Sequence, residues 1–211
     1  MNFKSNYPYS IAAKLAQQNL VVTNVSPITE EADGSIDLGE RLHLQIGADY
    51  ITLCHEQGEG LEFHDIPDEQ VLIEQLQFHT QTFAIIKPGA DCEAVLSELA
   101  RRGFKIIGKP ATKKLTEAEA ALFYAEHADK PFYADLVSFM TSRPVTLLVL
   151  TYTHDPEQTV LALRKAVGAT NSTTPGSIRA MFGNPAITRE NAIHASDSKK
   201  AAARERTIFK L

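Results

Sequence analysis

Two cysteines, Cys54 and Cys92, are all that this chain of 211 residues contains. They stand far apart with no CxxC pattern, which excludes a disulfide framework and a structural zinc of the usual spacing; a reducing, cytoplasmic setting is expected. No apolar run approaches the roughly 20 residues that cross a bilayer. The opening "MNFKSNYPYS" has no charged stretch followed by an apolar core, so neither a membrane span nor an export leader is expected. Basic residues are scarce at one end: residues 1–80 hold 3 Lys/Arg against 13 Asp/Glu, a balance of −10. Residues 81–211 hold 18 against 13, a balance of +5. An acidic front repels nucleic acid, and a mildly basic remainder suits an anionic ligand such as a phosphate. The paired strand aromatics on which RNA-reading sheets stack bases are absent as well, so nucleic acid is not an expected partner.

What is present suits one ordinary domain with a smaller one attached. Residues 1–78 read as a small acidic α+β unit. A helix is expected in "YSIAAKLAQQN", an extended stretch in "LVVTNV", and a polar turn at Asp33-Gly34. The alternating runs "LHLQIG", "YITLCHE" and "LEFHDI", separated by Gly47-Ala48-Asp49 and Gly58-Glu59-Gly60, then predict an antiparallel meander. The histidines of the early segment, His43, His55, His64 and His79, have no repeated metal-ligand spacing, and this segment is assigned no chemistry.

Residues 81–211 are easier to parse. "TFAIIK" is a buried-type strand stopped by Pro88-Gly89, and "DCEAVLSELARRG" is a helix ended by Gly103. "FKIIG" is a strand; Thr116 and Glu119 form a capping-box pattern that opens "EAEAALFYAEH", and Pro131 starts "FYADLVSFM". "VTLLVL" is a strand, and Asp155-Pro156 opens a helix that Gly168 ends. A short strand carries His194, and "KKAAARERTIF" closes as a helix. The order βαββαβ predicts an α+β fold of the ferredoxin-like kind, an antiparallel sheet with helices packed on it.

"NAIHASDS", residues 191–198, sets one histidine between an apolar run and a small acidic turn. Taken alone, His194 reads as a packed strand residue. The ordered set "IIKPGA", "FYAEH", "KPFY", "LVSFM", "VGATN", "SIRAMF", "NAIHASDS" and "AARE" resembles the nucleoside diphosphate kinase family over residues 81–211. The resemblance implies a ping-pong phosphotransferase. His194 would take the γ-phosphate of a nucleoside triphosphate and pass it to a diphosphate, a role that suits a ring nitrogen nucleophilic near pH 7.

The other roles are those the resemblance implies. Glu205 orients His194, although a Glu between two arginines on a helix ordinarily reads as a solvated partner. Ser196 assists at the transferring phosphate, although a serine there also reads as a helix cap. Lys87, Arg164 and Arg179 balance phosphate charge; Thr170 contacts phosphate and Asn191 the sugar hydroxyls. Phe132 stacks on the base, a contact open to every nucleobase because all share a π-face. Tyr124 and His127 stand beside the nucleophile and the phosphates, and Leu136 completes the nucleotide-binding set. Asp197 is structural rather than a metal ligand. Mg2+ is expected, bound through the nucleotide phosphates and not through protein carboxylates, and a homo-oligomer is expected too.

Three departures stand out. The link "TYTHDPEQ" is longer than in short members, the Thr170–Arg179 loop is shorter, and the stretch from Arg179 to Asn191 is longer. The acidic front lies outside the family plan; its charge opposite to the remainder suggests docking there, and an independent tethered module is the competing reading. A catalytically silent kinase-like scaffold is the alternative for the whole chain. A scaffold need not keep His194, Glu205, Lys87, Arg164, Arg179 and Asn191 together.

Overall fold

The computed structural model describes residues 7–18, 20, 22, 24–26, 33–38, 42–46, 51–55, 62, 63 and 69–211. The chain divides into two compact units: Met1–Thr80 with Tyr152–Gln158, and Gln81–Thr151 with Thr159–Leu211.

The first unit carries α1 (Tyr7–Gln17), the strands β1 (Asn24–Ser26), β2 (Gly34–Asp37), β3 (Leu42–Ile46), β4 (Ile51–His55) and β5 (Glu62–Phe63), and α2 (Glu69–Thr80). The strands follow in the spatial order β1-β2-β3-β4-β5, every neighbouring pair antiparallel, which is the expected meander. Alternation sets its buried face: Leu44 and Ile46 are fully buried while Gln45 between them is exposed. Ile11 and Leu15 of α1 and Leu72 and Leu76 of α2 share one core with Ile36, Leu44, Ile46 and Ile51. α2 is an element that sequence patterning did not suggest. Gly34 belongs to β2 rather than to a turn. His64 and the Gly47–Asp49 and Gly58–Gly60 turns lie outside the described residues.

The second unit runs β6 (Thr82–Ile86), α3 (Cys92–Arg101), β7 (Phe104–Ile106), β8 (Ala111–Lys113), α4 (Glu117–Phe123), α5 (Tyr133–Ser142), β9 (Val145–Tyr152), α6 (Thr159–Val167), α7 (Ile178–Phe182), β10 (Ile193–Ala195) and α8 (Lys199–Phe209). The sheet order β10-β6-β9-β7, with β8 also on β9, is the ferredoxin-like arrangement, in which the first strand lies between the last and the third. β6 is therefore central, and all five of its residues are buried, as an apolar run flanked on both edges requires.

Several boundaries differ from expectation. The helix expected through His127 stops at Phe123; Tyr124 (φ −98°, ψ 20°) leaves helical geometry and a 3₁₀ turn, Ala125–His127, follows. The capping box of Thr116 and Glu119 is present on both sides. Pro131 does not start α5; Phe132 caps it, and the helix begins at Tyr133. Asp155-Pro156 opens a 3₁₀ turn, Pro156–Gln158, before α6 begins at Thr159. Gly168 (φ +82°) ends α6, and a Cβ there would sit 2.4 Å from that of Ser177, so the site accepts only glycine. Cys54 and Cys92 are both free thiols.

Candidate active site

β10 pairs antiparallel with β6, His194 opposite Ile85. The alternation of the pleat sends Ile193 and Ala195 into the core and His194 to the other face, where its side chain keeps 20% exposure. The turn before it is strained: Ala192 is fully buried at φ +65°, a left-handed conformation uncommon for alanine, and its carbonyl accepts the Lys87 backbone N–H at 2.8 Å. That bond ties the entry to β10 to the residue that ends β6.

Glu205 reaches the ring from α8. Its neighbours on that helix, Ala202 and Phe209, are three and four residues away and buried, so the carboxylate rides the apolar face and is itself only 3% exposed. Glu205 Oε2 accepts from His194 Nε2 at 2.9 Å and from Ser196 Oγ at 2.7 Å. A solvated Glu205 is therefore ruled out. Ser196 does not cap α8 either: that cap is Ser198, whose Oγ accepts the Ala201 N–H, while fully buried Ser196 faces Glu205 and lies 3.0 Å from the Phe83 carbonyl. Because an acceptor-only carboxylate fixes Nε2 as the protonated nitrogen, the lone pair of His194 lies on Nδ1. Phe123, a residue the sequence did not single out, meets the ring edge-on at 4.9 Å and 76°.

The cations come from three elements. Arg179 lies on α7, not in a loop, and is 4% exposed rather than solvent-facing. Its guanidinium donates to the Ile193 carbonyl from Nε (3.1 Å) and Nη2 (3.0 Å), to the Gly168 carbonyl (3.1 Å), and toward Thr170 Oγ1 (3.4 Å). Burial, with Arg164 nearby, lowers its pKa to about 10. Lys87, 8% exposed, donates Nζ–H to the Arg189 carbonyl at 3.1 Å. Burial and the charge of Arg179 lower its pKa to about 7. Arg164, exposed on α6, reaches the Ala195 carbonyl at 3.4 Å.

The remaining residues divide by exposure. Asn191 is buried, donates Nδ2–H to the Thr170 carbonyl at 2.8 Å, and leaves its Oδ1 with no hydrogen bond. Tyr124 is buried with its hydroxyl likewise unmatched; burial and the charge of Glu205 raise its pKa. Tyr124 and His127 remain stacked across the helix break, ring centroids 6.3 Å apart, and His127 lies 5.8 Å from Phe132. Phe132 is 50% exposed, an open aromatic face. Leu136 packs into the core with Phe123, Tyr124 and Met140. Asp197 is exposed. Carboxylates do not gather here: among the described residues no group of three or more His, Cys, Asp or Glu side chains is placed to hold a metal ion.

The arrangement is a histidine with one free nitrogen, backed by a buried carboxylate and accompanied by cations, and its order along the chain is that of a known set. The sequence model for nucleoside diphosphate kinase matches residues 80–210. The chain belongs to the nucleoside diphosphate kinase family. The "Nucleoside diphosphate kinase" of Bdellovibrio bacteriovorus is 44% identical over 135 residues, spanning 61% of this chain and 91% of that one. The orthorhombic crystal form of the Aquifex aeolicus nucleoside diphosphate kinase superposes with a TM-score of 0.55 at 34% identity, over 61% of this chain and 93% of that one. As a nucleoside diphosphate kinase the chain is a phosphotransferase with nucleotide substrates. The family match leaves residues 1–79 outside it.

A buried lysine with a lowered pKa predicts a linkage. Above about pH 7 Lys87 is largely neutral, and an anion placed beside it would favour its charged form. Nucleotide binding at pH 8 to 9 is therefore expected to take up close to one proton, and at pH 6 almost none. Calorimetric titration in buffers of different ionisation enthalpy measures this, and Lys87→Met is expected to remove the uptake. Folding has the opposite sign, because it releases the proton: the unfolded lysine holds it up to about pH 10.4 and the folded one only to about 7. Lys87 thus costs stability below pH 7, and that cost is relieved as pH rises between the two values.

Proposed function

We propose that this kinase works by a ping-pong cycle through a phosphohistidine on Nδ1 of His194. The observation that carries the reading is the hydrogen bond of Nε2 to buried Glu205, which holds the ring, itself 20% exposed, in one tautomer and leaves Nδ1 without that partner. In the first half, Nδ1 forms a bond to the γ-phosphorus while the bond from that phosphorus to the β,γ-bridging oxygen breaks, and a nucleoside diphosphate leaves. In the second, a terminal oxygen of another diphosphate attacks the same phosphorus and the P–N bond breaks. No net proton or electron is consumed.

Lys87, Arg164 and Arg179 offset charge on the phosphate oxygens, and because they are held in place before the reaction, little reorganisation is needed during it. Thr170 meets phosphate, Asn191 the sugar hydroxyls, and Tyr124, His127 and Leu136 shape the wall. Phe132 offers its face to the base. Ser196, sharing Oε2 of Glu205 with the ring, steadies the carboxylate as charge develops at the phosphate. The surrounding donors are cations suited to phosphate, so magnesium would arrive with the nucleotide and would supply further neutralisation of phosphate charge. Self-association and a cytoplasmic setting belong to the same reading; among the described residues no helix is long and apolar enough to cross a membrane.

Single-turnover incubation with γ-labelled ATP and Mg2+ tests the cycle. Acid-labile, base-stable label is expected on the protein within the first turnover and is expected to leave as labelled GTP when GDP is added. Binding of nucleotide with no label on the protein would sink the covalent reading and favour a non-catalytic kinase-like module.

A further inference from the structure

Two arginines of the second unit hold the loop that joins α6 to α7, and the proposed cycle uses only one of them. Arg179 donates to the Gly168 carbonyl and toward Thr170 Oγ1, and Asn191 donates to the Thr170 carbonyl. Arg102, at the end of α3, reaches the same loop from another element. Its Nη1 donates to the Ala166 carbonyl at 3.2 Å and its Nη2 to the Gly176 carbonyl at 2.6 Å. Ala166 lies in the last turn of α6, where carbonyls lack helical partners, and Gly176 immediately precedes Ser177, the N-cap of α7. One guanidinium therefore joins the end of one helix to the start of the next.

The loop is built to pass that restraint on. Its ends are in contact, since a Cβ on Gly168 would meet that of Ser177. Within it Thr174 Oγ1 accepts the Ala169 N–H, the Ala169 carbonyl accepts the Ser172 N–H, and the Thr174 carbonyl accepts the Ser177 N–H. Thr170 is thus carried on a short, internally bonded span, and Arg179 stands on the helix that this span leads into. Arg102 is itself held: buried Glu98 accepts its Nε–H at 2.6 Å and also takes two donors of Arg101, each at 2.7 Å. The two arginines that share Glu98 differ in reach. Arg101 has a side chain 68% exposed and ends on Glu98, whereas Arg102, 21% exposed, continues to the loop.

We propose that Arg102 is a positioning residue for the nucleotide phosphates: braced by Glu98, it fixes the two ends of the α6–α7 loop and so sets where Thr170 and Arg179 stand. It acts through the loop and not by contact with the nucleotide. The inference rests on the phosphate-binding roles of Thr170 and Arg179 in the proposed cycle.

Full-length Arg102→Ala and Arg101→Ala proteins are titrated with Mg–ADP by calorimetry, with KM, kcat and a thermal melt measured alongside. Both remove one positive charge from the same carboxylate, and only the first releases the loop. Arg102→Ala is expected to weaken binding and raise KM about fivefold or more, the smaller end of a typical coupling between sites. Bound phosphate draws the loop back into place, so kcat and the amount of His194 label at saturating ATP are expected to stay near their original values. Arg101→Ala is expected to leave the affinity unchanged. Arg102→Lys keeps a donor for one of the two carbonyls and is expected to recover part of the affinity. In a Thr170→Ala background the effect of Arg102→Ala is expected to shrink. Unchanged affinity in Arg102→Ala would overturn the proposal, as would an equal loss in Arg101→Ala or a fall in kcat with KM unmoved. So would an effect that adds in full on Thr170→Ala, or one that Arg102→Lys fails to reduce. Where the melt shows the alanine variant unfolded, Arg102→Lys decides alone: a partial loss of affinity with kcat kept supports the proposal, and full affinity overturns it. The binding readout does not need turnover, so a missing phosphohistidine in the unaltered protein would overturn the covalent cycle and leave this test standing.

Discussion

Replacing His194 with alanine is expected to abolish covalent labelling and to slow phosphoryl exchange between ATP and GDP by at least about 10⁴-fold, the scale on which loss of an attacking side chain is felt when binding survives. The fold has little to lose. The ring is 20% exposed, makes one hydrogen bond and one edge contact with Phe123, and leaves Glu205 still bonded to Ser196. Nucleotide affinity, which the proposed cycle assigns to Lys87, Arg164, Arg179 and Phe132, is expected to change by less than about tenfold, since none of those residues depends on the imidazole for its own place. Exchange kinetics, Mg–ADP titration and a thermal melt together separate the outcomes. Exchange within tenfold of the original rate would mean that phosphate passes directly between nucleotides or through another side chain.

Glu205→Ala ranks second and fails differently. It removes the acceptor shared by buried Ser196 Oγ and partly exposed His194 Nε2, leaving Ser196 only the Phe83 carbonyl at 3.0 Å, beside a cluster in which the rings of Phe83, Phe123 and Phe209 lie 5.5 to 6.2 Å apart. Losing the acceptor is expected to cost about 1–3 kcal/mol of stability. The ring also loses what fixes its tautomer, so kcat is expected to fall by roughly 10²-fold, the upper range for a residue that orients a reactive histidine. Glu205→Gln retains one acceptor oxygen and is expected to lie between the two, with most of the stability kept. A denaturant melt read beside kcat measures both effects. An alanine variant with full kcat would show that the strand and Phe123 alone orient the ring.

Most of the second unit was legible in the sequence because its signals are local. The Thr116–Glu119 box, the glycine ends of α3 and α6, and the apolar run of β6 each depend on residues within a few positions. The elements that escaped have weak local signals and strong tertiary ones. α7 is five residues long and is made by the burial of Ile178 and Arg179 rather than by propensity. β8 has three residues and is held by its register on β9. α2 carries Val71 and Phe78 on its exposed side, which blurs its apolar stripe.

The site divides in the same way. His194, Glu205 and the cations were named from a motif, but their burial was not visible there, and burial is what makes Arg179 a fixed donor and Glu205 an orienting carboxylate. The same holds for Ser196, whose spacing from the helix suggested a cap and whose partner proved to be Glu205, farther along that helix. Arg189 was not named at all, because it acts through its backbone carbonyl, which the sequence does not distinguish from any other.

The seven residues that the first unit borrows also bear on how the chain is made. The hydrogen bond between His79 and Glu157 joins positions 78 apart, and every residue between them must be synthesised before it can close. At roughly 5–20 residues per second, that leaves the front unit incomplete on the ribosome for several seconds, its α2 without the turn that packs on it. The unit that emerges first is finished only after β9, deep in the second, has been made.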